Sequence, residues 1–71
     1  MQAPTKPIPL CDYRDRRGSN ELSAVLDEVT LTYSVVLRDS RGTARPVRRH
    51  LPTLRAARSW AVAYRDAVMS S

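Results

Sequence analysis

The stretch "TLTYSVVLRDSRGTARPVRRHL", residues 30–51, decides the fold. Its first part alternates. Leu31, Tyr33, Val35 and Leu37 share one face of an extended chain, and Thr32, Ser34, Val36 and Arg38 share the other. Thr, Tyr and Val suit a pleated, half-buried strand. "DSRG" then reads as a turn, capped by Asp39 and eased by Gly42, which takes positive φ at little cost. Residues 43–51 return as a second strand. Pro46 cannot donate to a ladder, which places that strand at an edge or at a bulge. If Val47 and Leu51 face inward, strict alternation also turns Arg49 inward; a bulge near Pro46, or a frayed strand end, relieves this.

Outward from the hairpin, residues 53–69 carry the helical pattern. Thr53 follows Pro52 as an N-cap, and Leu54, Ala57, Ala61, Tyr64 and Val68 recur on one face with Trp60 at its border. The small Ala57 and Ala61 let a helix lie close to a sheet. Residues 21–29, ELSAVLDEV, fit two periods. Leu22, Val25, Leu26 and Val29 suit a helix capped by Asn20, whereas Leu22, Ala24 and Leu26 suit a strand. A lone hairpin is marginal, so the strand is preferred as a partner for the next segment. Residues 11–20 mix both charge signs and end in turn-formers, which reads as a solvated loop. Residues 1–10 hold Pro4, Pro7 and Pro9 and read as extended chain. The expectation is therefore an α+β domain over residues 21–71. It has a three-stranded antiparallel sheet packed on one C-terminal helix (βββα), preceded by a flexible proline-rich and charged tail over residues 1–20.

The charge is polarised. Residues 1–30 carry four basic and five acidic side chains, and residues 31–71 carry eight arginines against Asp39 and Asp66. Such asymmetry points to a polyanion or an acidic protein surface. Lys6 is the only lysine beside eleven arginines. Guanidinium forks suit phosphates, guanine edges and carboxylates, although arginine-favouring codon usage would give the same ratio. A chain of 71 residues has a thin core and no room for a large substrate cleft.

Enzyme chemistry finds no foothold. His50 is the only histidine, Gly18 and Gly42 are the only glycines, and Cys11 is the only cysteine. A histidine pair for a metal, a glycine-rich phosphate loop and an internal disulfide are thus excluded. The expectation is a non-enzyme with no cofactor and no metal. A single thiol and the lack of a membrane-length apolar run or a leader-like N-terminus suit a cytoplasmic protein without a membrane role.

Between residues 38 and 58 there are seven arginines and one acid. Thr32, Ser34, Arg38, Arg48 and His50 are expected on the open sheet face, with Arg41 and Arg45 at or beside the turn. A small sheet or β-ribbon can enter the major groove of duplex DNA, where arginines fork onto guanine edges and hydroxyls reach phosphates. The stretch "YSVVLRDSRGTARPVRRHLPTLRAARSW" also resembles the N-terminal, arm-site-binding domain of phage-type tyrosine recombinases. That domain shares its architecture with the DNA-binding domain of plant ethylene-response factors. Tyr33, Arg38-Asp39, Gly42, Arg45/Arg48/Arg49, Leu51, Pro52-Thr53, Ala57 and Trp60 follow the family order over roughly residues 23–69. The resemblance implies a sheet face that binds DNA, with Thr32, Ser34, Arg38, Arg41, Arg45 and Arg48 as contacts and Arg49 as a further candidate. Pro46, Leu51 and Ala56 depart from the pattern, and the absence of a recombinase domain implies a stand-alone module. The leading expectation is a monomeric, basic phage, plasmid or bacterial regulator or accessory factor that binds duplex DNA. The alternative is a small phage-encoded inhibitor that grips an acidic host protein, such as an RNA polymerase subunit or a defence complex.

Overall fold

A computed structural model of the chain describes residues 6–70. The elements are β1 (Ile8–Asp15), β2 (Gly18–Asp27), β3 (Thr32–Arg38), β4 (Ala44–Leu51) and α1 (Leu54–Met69). The strands form one antiparallel meander in the order β1-β2-β3-β4, and α1 packs against one side of it. The architecture is α+β as expected, but the sheet has four strands rather than three. Residues 8–20, read from sequence as tail and loop, supply β1 and the first residues of β2. The expected tail over residues 1–5 lies outside the described residues.

The additional strand has a physical explanation. Cys11, Tyr13 and Asp15 alternate with Asp12 and Arg14, so the period-2 signal is present but short. A register shift between Pro9 and Cys11 breaks it toward the N-terminus. Pro9 is tolerated because β1 is an edge strand. For residues 21–29 the strand reading holds up to Asp27, with Leu22 and Ala24 fully buried. Leu31, expected inward, instead sits in the β2–β3 turn with φ 57° and is 70% exposed. The Asp27 carboxylate accepts from the Val29 amide at 2.9 Å and holds that turn in place.

Register defines the two sides of the sheet. Cys11, Leu22, Leu37 and Arg45 stand in one row across the four strands. Ile8, Ala24, Val35 and Arg48 stand in another. Both rows lie on the helix side, where Leu22, Ala24, Val35, Leu37, Ala57 and Ala61 form the buried core. Thr53 caps the helix by accepting from the Ala56 amide at 3.0 Å. Trp60 and Tyr64, one turn apart, stack with ring centroids 5.2 Å apart against the margin of the core. No helix among the described residues is long and apolar enough to cross a membrane.

The contact between β1 and α1 carries a pH signature. Burial pushes the Cys11 thiol above its ordinary value of 9.0, against the opposing charge of Arg65. Burial likewise raises the Tyr13 phenol above 10.0, reinforced by Tyr64 and Asp15 and opposed by Arg45. Both groups hold their protons more tightly when folded than when unfolded. Their contribution to stability is therefore intact below the unfolded values and is lost as pH rises through the folded ones. The urea midpoint is expected to fall as pH is raised above about 9, and Cys11→Ala is expected to shift the onset of that fall upward. A midpoint that is flat through the alkaline range would show that neither group is shielded by folding.

Candidate nucleic-acid interface

The arginines of residues 38–58 are placed by the β3–β4 hairpin and the first turns of α1. The hairpin turn is built by Asp39, whose carboxylate accepts from the Arg41 amide at 2.9 Å and the Thr43 amide at 3.0 Å. Gly42 adopts φ 86°, as the turn reading requires. The single acid of the stretch is thus engaged with backbone donors, and Arg41 is exposed at the tip.

β4 is the outer strand next to β3, and it is irregular. Its register against β3 shifts twice, between Val36 and Val35 and again between Val35 and Tyr33. These irregularities resolve the parity problem posed by the sequence. Val47 packs on the core and Leu51 is buried opposite Tyr33, while Arg49 remains exposed between them. His50 adopts φ 63° in the second irregular stretch. Pro46 stands opposite Val36, where the strand has no neighbour on its outer side.

The expected open-face cluster is divided by this register. Thr32, Ser34 and Arg38 do lie on the side away from the helix, in alternation with buried Val35 and Leu37. Arg48 does not join them: it stands opposite Val35, on the helix side of the edge, and Arg45 stands opposite Leu37 on that same side. The reason is the bulge, since an extra residue on β4 moves Arg48 to the side that strict alternation assigned to its neighbours.

The open face itself is electrostatically mixed. Asp12 faces Glu21, Glu21 faces Arg38, and Thr32 faces Asp27 across adjacent strands. A shallow hollow on this face is lined by Pro7, Glu21, Ser23, Val25, Val36 and Arg38. Ser23 is buried there and donates to Glu21 at 3.0 Å. Carboxylates and valines at the centre of the face make it a poor seat for phosphates.

The basic surface lies instead along an edge. Arg41, Arg45, Arg48 and Arg49 run from the β3–β4 turn down β4, and Arg55 and Arg58 follow in the first turns of α1; all six are exposed. Among the described residues the ion pair within 4 Å is Arg65–Asp66, so none of the six is neutralised by a described carboxylate. The first turn of α1 contains no acidic residue. Basic side chains there oppose the helix dipole, a small local cost that a bound anion would offset.

One neighbour of this edge was not expected from sequence. The β1–β2 turn, with Arg16 and Arg17, lies beside the β3–β4 turn: the Ser40 hydroxyl donates to the Arg17 carbonyl at 3.4 Å. Gly18 permits the approach. It has φ 126°, and a Cβ added there would come within 3.0 Å of the Ser40 hydroxyl oxygen. Gly18→Ala is expected to destabilise the domain by about 1–3 kcal/mol through backbone strain. Amide shifts at Ser40 and Arg41 are expected to move with it. Unchanged stability and unchanged shifts in that variant would show that the two turns do not depend on each other.

Comparison with known proteins finds no matching family model, no matching curated protein and no matching solved structure.

Proposed function

We propose that this protein binds duplex DNA, as a small regulator or accessory factor, and that it does so through the β4 edge rather than through the sheet face. The observation that carries the reading is the run of exposed arginines along the β3–β4 turn and β4, none of which pairs with a described carboxylate. An edge strand bearing arginines on both of its sides is a ridge. A two-stranded ribbon such as β3–β4 fits the major groove, with arginine heads available to guanine edges and to the phosphates that flank the groove. Arg41 leads at the turn, Arg45, Arg48 and Arg49 follow along the strand, and Arg38 reaches from the hairpin's other strand. Thr32 and Ser34 lie at the end of β3 remote from the turn, beside Asp27 and Val25. On this reading they are secondary to the arginines.

A salt titration of duplex binding tests the proposal. With about four to six phosphate contacts, log K is expected to fall against log salt with a slope of roughly −4 to −5. Binding that is weak at low salt and insensitive to added salt would refute it. Retention of an acidic host protein on the immobilised chain after nuclease treatment, with no duplex affinity, would instead establish the reading of these arginines as a protein-binding ridge.

A further inference from the structure

The two turns at the basic end of the sheet are built alike. Asp15-Arg16-Arg17-Gly18 and Asp39-Ser40-Arg41-Gly42 share the pattern Asp-x-Arg-Gly. In each, the aspartate carboxylate accepts from the arginine amide two residues on, at 2.8 Å in the first and 2.9 Å in the second. In each, the glycine has positive φ. Each turn therefore presents an exposed arginine from a backbone fixed by its own carboxylate, so the aspartates organise the turns instead of pairing with the guanidiniums. The Ser40–Arg17 contact and the close approach at Gly18 hold the two turns side by side.

We infer that the β1–β2 turn is a second phosphate-gripping element, in which Arg16 and Arg17 seat on the nucleic-acid backbone while the β3–β4 ribbon occupies the groove. This rests on the duplex-binding reading above and adds a site to it. The dimensions favour this division of labour. Four strands at about 4.8 Å spacing measure about 14 Å across their backbones, more than the roughly 12 Å of a major groove. Both turns do not fit the groove together. When the β3–β4 turn enters, the β1–β2 turn, registered beside it, is left over the adjoining phosphate strand. Phosphate contacts of this kind fix orientation and carry no sequence information. The charge balance is consistent: Asp15 is engaged with the Arg17 amide, and Asp12 stands up the strand opposite Glu21.

The test compares the intact chain with the Arg16→Ala/Arg17→Ala double variant on two duplexes of unrelated sequence across a range of salt. The variant is expected to flatten the slope of log K against log salt by about 1.8, two contacts at roughly 0.9 each. It is expected to weaken binding by the same factor on both duplexes. An unchanged slope in a variant that still binds overturns the inference and leaves the β4 reading standing. A loss confined to one duplex also overturns it, because the turn would then be reading bases. Failure of the intact chain to bind either duplex overturns both. Both arginines are exposed, so the variant is expected to keep the circular dichroism and urea midpoint of the intact chain.

Discussion

Leu22→Ala is expected to lower the stability of the domain by about 3–4 kcal/mol and its Tm by roughly 15–25 °C. Leu22 lies on a central strand, is fully inaccessible to solvent, and stands between Cys11 and Leu37 in a row beneath α1. The substitution removes its transfer energy and leaves a cavity between a sheet and a helix that two alanines already bring close. At roughly 0.05–0.15 kcal/mol per residue, a domain of this length has about 4–10 kcal/mol in all, so one side chain accounts for a large share. Thermal or urea unfolding followed by circular dichroism measures the effect. A loss below about 1 kcal/mol would mean that the core lies elsewhere than the rows described above.

The combined substitution Arg45→Ala/Arg48→Ala/Arg49→Ala is expected to weaken duplex binding by roughly 100- to 1,000-fold at moderate salt while the fold persists. The three side chains are exposed, and none pairs with a described carboxylate. Their stability contribution is therefore small, although it is not nil. Arg45 and Arg48 end two core rows on the helix side, where their aliphatic stems can cover the margin of the core. A loss of up to about 1 kcal/mol in total is consistent with that cover. A loss of several kcal/mol would show that these arginines act chiefly as packing. Competition by unlabelled duplex, read by fluorescence anisotropy at two salt concentrations, separates the charge effect from a folding effect.

The helix and the β3–β4 hairpin were legible in the sequence because their signals are local and strong. Thr53 after Pro52, the recurrence of Leu54, Ala57, Ala61, Tyr64 and Val68, and the alternation through Tyr33, Val35 and Leu37 each carry one period over a full element. β1 was not legible for the opposite reason. Its alternation through Cys11 and Tyr13 is brief, is interrupted by a register shift after Pro9, and is made of charged residues on its outer side. The candidate site shows the same contrast. Composition alone located the arginines and the turn that leads them. Their distribution over the two sides of the sheet depends on two register shifts in β4, which no periodicity encodes: Arg45 takes the helix side by plain alternation, but Arg48 reaches it only through the first shift. The nearness of Arg17 to Ser40 is a tertiary fact about two turns 23 residues apart in sequence. Gly18 is its only local trace.

Contact between the β4 edge and duplex DNA is read by following backbone amide shifts as duplex is added at low salt. The expected result is movement concentrated in residues 38–51 and in the adjoining turn at residues 15–18, with residues 28–31 of the far turn unaffected. Movement centred on Glu21, Ser23, Val25 and Ser34, or no movement in β4 at all, would show that the β4 edge does not meet the duplex.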